Sequence, residues 1–255
     1  MMAAETLQIP IEKLVNEPYI NVICYPRPNK IELQKRLKEL RKLGISAVEF
    51  SGEKQVLNLH VLGKGCVGLV VKAYKTDGEI VALKVRRTDA DRAMMQHEAE
   101  MLKMANSVDV GPRLLSVSRN FLVMQFIEGS LLPIWLEKCK GKMRVKKVLR
   151  DILEQCWRLD MAGLDHGELS HAPKHVIVDC QDKSFIVDFE TASLNRKPSN
   201  VTSIAQFLFI SGTIAEKVSK KLGVRDKKTV IEALRQYKAD KNRQNFEEVL
   251  KVCGL

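Results

Sequence analysis

The chain has 255 residues, of which 45% are hydrophobic, and a formal net charge of +11. This length and hydrophobic content suit one large core or two modest lobes, and they exclude disordered and fibrous proteins. The excess of Lys and Arg over Asp and Glu, 42 against 31, favours phosphate-rich partners such as nucleotides, RNA or a ribonucleoprotein, with a solvated basic surface as the alternative.

No segment of the chain predicts secretion or a membrane span. Residues 1–6 lack a basic flank followed by an apolar core, so we expect the mature chain to begin there. Residues 204–214 form the most apolar run, which is far shorter than the roughly 20 residues of a membrane span and predicts a buried helix. The six cysteines form no CxxC pair, which is typical of free thiols in a reducing compartment. We therefore expect a cytoplasmic protein without a membrane partner.

Residues 1–54 are predicted to form an N-terminal extension. It consists of a strand, a helix and a strand, at 19–24, 31–43 and 45–50. Asn29 is suited to cap the helix, and Gly44 is suited to end it. The basic face of the helix at 36–42 is interpreted as solvated, with nucleic-acid contact as the alternative. The same two interpretations apply to the lysine cluster at 220–228.

Residues 55–128 predict a β-rich lobe, and residues 129–255 predict a mostly helical one. The strands of the first lobe are expected at 56–61, 69–74, 79–85, 114–117 and 121–126. A helix is predicted at 90–106, and the second lobe has two short strands at 176–178 and 185–187. A sheet-rich segment followed by a helical segment predicts an α+β protein with two lobes.

A glycine-rich segment fits the pattern G-x-G-x-x-G-x-V, with its pattern positions at Gly63, Gly65, Gly68 and Val70. Glycines allow the backbone to approach phosphate oxygens because no Cβ intervenes. A dinucleotide-binding loop would open a helix, whereas this segment continues into a strand, which favours a hairpin that folds over a nucleotide. A glycine-rich turn without a ligand is the alternative.

Lys84 ends the segment Val-Ala-Leu-Lys on the strand predicted at 79–85. This pattern is typical of a buried lysine that meets the α and β phosphates of ATP. The next helix offers two carboxylates, and we predict that Glu98, rather than Glu100, pairs with Lys84. An exposed helical charge is the alternative for Glu98.

Asp188 follows the apolar strand predicted at 185–187. A carboxylate at the end of a strand can reach a metal–phosphate complex, so Asp188 is a candidate metal ligand. A capping aspartate is the alternative. The segment His-Gly-Glu-Leu-Ser, which contains Glu168, lies earlier in the same lobe.

Taken together, these segments resemble protein kinases. The resemblance is closer to the small atypical kinases, namely the RIO group, the kinase of the archaeal tRNA threonylcarbamoyl complex and small archaeal predicted serine/threonine protein kinases. It covers roughly residues 57–193 and rests on the order and spacing of five motifs. It implies a protein-kinase-like bilobal fold with a β-rich N-lobe and a shortened helical C-lobe. It also implies ATP as the cofactor, with Mg²⁺ or, in its place, Mn²⁺.

The resemblance implies a role for each candidate residue. Lys84 would orient the phosphates, and Glu98 would fix its ammonium group. The backbone of Gln125 and Ile127 would face the adenine ring. Glu168 would occupy the acidic position of the catalytic loop. Asp188 would be the first metal ligand and His175 the second.

The chain departs from the kinase pattern at four points. Glu168 stands where kinases carry aspartate, and the metal-binding asparagine aligns with His175, two residues farther along than usual. Glu190 replaces the glycine of the D-F-G motif. The chain has no A-P-E segment, and only 65 residues follow Glu190. The resemblance therefore supports nucleotide binding better than protein phosphorylation.

The leading hypothesis is an ATP- and Mg²⁺-dependent phosphotransferase, an atypical serine/threonine kinase with a protein acceptor. The second hypothesis is an ATP-operated assembly or RNA-maturation factor, which the charge of +11 and the shortened C-lobe favour. The third is a small-molecule kinase, which would need a polar acceptor pocket.

Overall fold

A computed structural model describes residues 8–255, except for the side chain of Arg92. The chain divides into two compact units. The first holds residues 8–100 together with Arg113–Phe126, and the second holds Met101–Pro112 with Ile127–Leu255. The expectation for residues 1–6 lies outside the described residues.

The first unit is built on an antiparallel sheet. The elements as far as Gln125 are β1 Gln8–Pro10, a 3₁₀ turn Ile11–Val15, α1 Ile20–Ile23, α2 Lys30–Lys42, β2 Ile45–Glu49, β3 Lys54–Val56, β4 Leu59–Val61, β5 Gly63–Lys64, β6 Gly68–Lys75, β7 Ile80–Arg86, α3 Arg92–Asn106, β8 Leu114–Val117 and β9 Phe121–Gln125. Seven strands form one sheet in the order β1-β2-β6-β7-β9-β8, with β5 paired to β6. Strands β3 and β4 form a separate antiparallel hairpin.

One apolar cluster holds the sheet of the first unit against α2. Successive side chains of a strand point to opposite faces, so Leu69 and Val71 of β6 share a face, and both are buried. Leu33, Leu37 and Leu40 of α2 recur at helical spacing and belong to the same cluster. This core supports the strands that carry the glycine-rich segment and Lys84.

The helix predicted at 31–43 is confirmed as α2, and its ends form as expected. The Asn29 side chain accepts hydrogen bonds from the N–H groups of Ile31 at 2.8 Å and Glu32 at 3.1 Å. Gly44 follows the last turn with φ +71°, a conformation that glycine adopts without a Cβ clash. Local capping chemistry therefore accounts for both boundaries.

The expectation that the face at 36–42 is wholly solvated was wrong for Arg36, whose side chain is completely buried. Its Nη1 donates to the carbonyl oxygens of Ile23 at 2.6 Å and Arg86 at 2.7 Å. Arg36 lies three residues after Leu33, so it shares the inward face of the helix. Carbonyl groups contributed by distant segments make burial of this cation tolerable.

Two predicted strands were also wrong. The run at 19–24 forms the helical turn α1, because a short apolar run does not distinguish a strand from a buried helical turn. The run at 56–61 is split into β3 and β4 by a turn at Leu57, where φ is +52°. The strands predicted at 45–50, 69–74, 79–85, 114–117 and 121–126 are confirmed within one or two residues.

The second unit is mostly helical and carries a small antiparallel sheet. After Gln125 the elements are β10 Gly129–Leu131, α4 Leu132–Lys138, α5 Lys142–Met161, a 3₁₀ turn Leu169–His171, β11 Val176–Asp179, β12 Ser184–Ile186, α6 Asn200–Ala205, a π-helical stretch Gln206–Ile210, α7 Thr213–Leu222, α8 Lys227–Ala239 and α9 Arg243–Val252. The sheet order is β10-β11-β12. The Gln155 side chain of α5 donates to the carbonyl of Ser184 at 2.9 Å and ties the long helix to β12.

The apolar run at 204–214 is buried and helical, although it is not one helix. The π-helical stretch buries Phe207, Leu208 and Phe209. The helical conformation ends at Ile210 and resumes after Gly212, where α7 begins. Across residues 8–255, no helix is long and apolar enough to cross a membrane.

Candidate functional site

The glycine-rich segment forms a tight hairpin between two strands of the first unit. Strand β5 pairs with β6 through Gly63 and Val70, and the N–H of Gly65 donates to the carbonyl of Gly68 at 2.9 Å to close the turn. A Cβ on Gly68 would lie 2.8 Å from the carbonyl oxygen of Val85, so only glycine fits there. The hairpin continues as a strand and opens no helix, which is the geometry that the sequence predicted.

Lys84 and Glu98 form a buried ion pair in the first unit. The Lys84 Nζ lies 2.7 Å from Glu98 Oε2, and each side chain exposes only 4% of its surface. Glu100, two residues farther along α3, is exposed. The predicted pairing of Lys84 with Glu98, rather than with Glu100, is therefore present in the structure. Because charges are costly to bury, each side chain of the pair compensates the charge of the other.

The segment predicted to face adenine begins at the end of β9. The N–H of Gln125 donates to the carbonyl of Arg113 at 2.9 Å. An adenine contact at Gln125 would therefore involve its carbonyl oxygen. Ile127 is half-buried and begins the main segment of the second unit.

In the second unit, Glu168 follows a backbone turn that requires glycine. Gly167 has φ +89°, and a Cβ there would lie 2.6 Å from the guanidinium of Arg196 and 3.1 Å from the carbonyl oxygen of Thr191. The Glu168 side chain is about one-third exposed. The loop therefore presents Glu168 at the surface of this unit.

His175 lies between two of the predicted site carboxylates. Its ring is buried, with Nε2 2.7 Å from Glu168 Oε2 and Nδ1 3.9 Å from Asp188 Oδ2. The Glu168 contact is close but lacks the alignment of a hydrogen bond, so it is a polar contact. The structure thus brings together the three second-unit residues that the sequence singled out.

Asp188 lies two residues after the end of β12. Its φ is +72°, which is unusual for a residue other than glycine. Phe189 is buried, with its ring 5.0 Å from that of His166. A Cβ on Gly111, in the same unit, would lie 3.0 Å from the Phe189 ring. Packing around Phe189 therefore helps to hold the backbone that carries Asp188.

Glu190 belongs to the site, although the sequence marked it only as a departure from D-F-G. One of its carboxylate oxygens lies within 4.8 Å of an oxygen of Asp188. Two carboxylates at this separation suit Mg²⁺, which prefers oxygen ligands, better than the imidazole of His175 does. The signal available in the sequence was an acidic residue two positions after a candidate metal ligand.

The glycine-rich hairpin, Lys84, Glu98, Glu168 and Asp188 lie within a part of the chain that matches a known family. A family model described as the RIO domain matches residues 46–203, which is more than half of the chain and runs from β2 into α6. The chain belongs to the RIO family. Members are atypical protein kinases and ATPases, so the predicted family and the α+β kinase-like fold class are confirmed.

A relative of this RIO protein is the "Uncharacterized protein MJ1211" of Methanocaldococcus jannaschii. The two are 32% identical over 117 residues, which are 45% of this chain and 98% of that protein. The sequence was expected to resemble archaeal proteins, and this relative is a protein of an archaeon.

A buried polar network next to the loop that carries Glu168 was missed by the sequence analysis. The Asn200 side chain accepts a hydrogen bond from the N–H of His166 at 2.9 Å and donates to Asp160 at 2.8 Å and to the carbonyl of Leu164 at 2.7 Å. Tyr237 also donates to Asp160, at 2.9 Å. Burial raises the pKa of Asp160. The available signal was an aspartate on the apolar face of α5, next to Leu159.

His166 links this network to the site. Its Nε2 donates to the carbonyl of Val187, 3.1 Å away, so the proton lies on that nitrogen. Complete burial lowers the pKa of His166 to about 4, and the neighbouring His175 adds to the effect. His166 is therefore a neutral structural residue between the loop that carries Glu168 and the segment that follows β12.

Proposed function

We propose that this RIO protein is an ATP- and Mg²⁺-dependent phosphotransferase that acts on serine or threonine hydroxyls of a protein acceptor. The observation that carries the proposal is the buried pair of Lys84 and Glu98 at 2.7 Å beside the glycine-rich hairpin. A pair of this kind holds an ammonium group ready for phosphate oxygens, and phosphoryl transfer depends mainly on positioning and charge neutralisation.

In this proposal the residues of each unit have distinct roles. Backbone N–H groups of the hairpin at 63–68 and the ammonium of Lys84 bind phosphate oxygens, while Glu98 holds Lys84. Asp188 and Glu190 would hold Mg²⁺, whose charge neutralises the phosphates when it is bound. Glu168 takes the proton of the acceptor hydroxyl. The hydroxyl oxygen forms a bond to the γ-phosphorus of ATP while the bond from that phosphorus to the departing ADP oxygen breaks.

Incubation of the protein with γ-labelled ATP, Mg²⁺ or Mn²⁺, and cell extract tests the proposal. We expect label on protein, its loss in Glu168→Gln with ATP binding retained, and partial activity in Glu168→Asp. The matched control is Glu248→Gln on the surface of α9, which should transfer label normally. Near-normal transfer by Glu168→Gln would remove the catalytic assignment.

An ATP-operated assembly or RNA-maturation factor is the second candidate, and the net charge of +11 favours it. In that case label from γ-labelled ATP would appear as free phosphate, and RNA or a ribonucleoprotein would be the partner. The six cysteines are all free, which supports a cytoplasmic location as part of either proposal.

A further inference from the structure

His175 is a buried titratable residue that the proposed phosphoryl transfer does not use. Only 1% of its side chain is exposed, and its ring lies between the carboxylates of Glu168 and Asp188, at 2.7 Å and 3.9 Å. The resemblance to the kinase pattern implied that it is the second metal ligand. The chemistry of its neighbours indicates a different role.

Three arguments count against metal ligation by His175. Mg²⁺ takes oxygen ligands, whereas imidazole suits softer metals. An oxygen of Glu190 already lies within 4.8 Å of one of Asp188, so a second carboxylate is present without His175. The nitrogen that makes the closest contact, Nε2, faces Glu168 and not Asp188.

The backbone and ring of His175 are held firmly. Its N–H donates to the carbonyl of Ala172 at 3.2 Å, and its carbonyl accepts from the N–H of Val187 at 3.0 Å. The ring packs edge-on against His166, with centroids 5.4 Å apart. Glu168, by contrast, is about one-third exposed and lies on a loop, so His175 is the fixed member of the pair.

We propose that His175 is a positioning residue that holds the Glu168 carboxylate in register with the acceptor hydroxyl. Glu168 has a longer side chain than the aspartate of kinases, and the loop between it and His175 is two residues longer than usual. In this proposal His175 fixes the position of the Glu168 carboxylate, which the longer loop carries. This inference rests on the proposed function, because it assigns a role relative to the phosphoryl transfer. A displacement of about 1 Å in a reacting group costs on the order of 100-fold in rate, which sets the expected size of the effect.

A double-mutant cycle in unfolding free energy tests the contact without any measurement of activity. The cycle compares wild type, Glu168→Gln, His175→Gln and the double variant. We expect the two changes to be non-additive, because each removes the same contact. The matched control is Lys174→Ala, since Lys174 Nζ lies 3.9 Å from Glu168 but its side chain is 58% exposed. A cycle of Lys174→Ala with Glu168→Gln should be additive, and additivity in the His175 cycle would overturn the proposal.

Kinetics then separate positioning from metal ligation. We expect His175→Gln and the smaller His175→Asn to lower kcat by about 10- to 100-fold, with the KM for ATP and the half-saturating Mg²⁺ concentration unchanged. A tenfold rise in the half-saturating Mg²⁺ concentration would identify His175 as a metal ligand and refute the positioning role. If wild type transfers no phosphate, the proposed function fails, while the unfolding cycle still decides whether His175 holds Glu168.

Discussion

At the scale of single residues, the Lys84–Glu98 pair is buried in the fold, and the proposed function also gives it a role in phosphate binding. Both side chains are almost fully buried, so removal of one charge leaves the other in a low-dielectric environment. Replacement of both charges by neutral groups avoids that cost. The pair therefore permits variants that separate folding from phosphate binding.

We predict that Lys84→Met lowers the unfolding free energy by about 3 kcal/mol and that Lys84→Met/Glu98→Gln recovers most of the loss. Both variants should bind ATP weakly, because the ammonium group is absent from each. Chemical denaturation and calorimetric ATP titration measure the two effects, with Glu100→Gln as the exposed control on the same helix. Unchanged ATP affinity in the folded double variant would exclude Lys84 from the phosphate site.

The pKa of His166 predicts how stability depends on pH. Its folded-state pKa of about 4 lies below the unfolded value of about 6.5, so the unfolded chain binds the proton more readily. The stability contribution is therefore present above pH 6.5 and is lost as pH falls towards 4. We expect it to amount to on the order of 3 kcal/mol over that range.

Denaturation curves between pH 4 and 7 test this expectation for wild type and His166→Gln. The variant should lack the part of the pH dependence that falls between pH 6.5 and 4. His60→Gln, at an exposed position, is the control. Identical pH profiles for wild type and His166→Gln would show that His166 does not titrate as proposed.

At the scale of elements, Arg36 adds a polar link between α2 and the sheet to the apolar contacts of that helix. Besides its two carbonyl contacts, its Nε donates to Glu32 at 3.1 Å and its Nη2 to Asn120 at 3.3 Å. A buried guanidinium satisfied by four acceptors tolerates replacement poorly, because each acceptor loses its donor. The cap at Asn29 is a local contribution to the same helix, so the two can be compared directly.

We predict that Arg36→Met destabilises the protein by about 3 kcal/mol, whereas Asn29→Ala costs about 1 kcal/mol. Arg36→Lys should recover only part of the loss, because an ammonium group lacks the planar fork of guanidinium. Urea denaturation measures all three variants. A cost for Arg36→Met no larger than that for Asn29→Ala would contradict an anchoring role.

At the scale of the whole molecule, the positive charge is concentrated near the start of α5. Residues 138–150 contain seven Lys or Arg and no Asp or Glu. Arg144 pairs with Asp182 at 2.6 Å, and Arg150 lies 3.4 Å from Glu247, but the lysines of this segment make no ion pair within the described residues. Cations at a helix N-terminus oppose the helix dipole, so folding does not account for their placement there.

If the protein binds RNA, we predict that affinity falls with salt, with a log–log slope of roughly −0.7 for each phosphate contact on a single strand. Lys140→Glu/Lys142→Glu should weaken binding and make the slope shallower. Lys54→Glu/Lys103→Glu, at exposed positions outside the basic segments at 36–42, 138–150 and 220–228, is the charge-matched control. Fluorescence anisotropy with a labelled single-stranded RNA measures both. No binding at low salt would discard the RNA hypothesis.

Turns, helix caps and strands depend on residues close together in the chain, so they could be predicted from the sequence. The hairpin at 63–68, the caps of α2 and the strands β6 to β9 follow from side-chain periodicity and from the conformations open to glycine and asparagine. The Lys84–Glu98 pair was predictable because one sheet strand and the next helix bring the two together. The Arg36 contacts, by contrast, span 50 residues to Arg86, and the His166–Asn200 bond spans 34. Local pattern does not identify such partners, so the burial of Arg36 and the Asp160 network are decided only when packing brings distant polar groups into a place without water. The contact of His175 with Glu168 spans only seven residues, but it depends on the burial of the His175 ring, which only the tertiary structure decides.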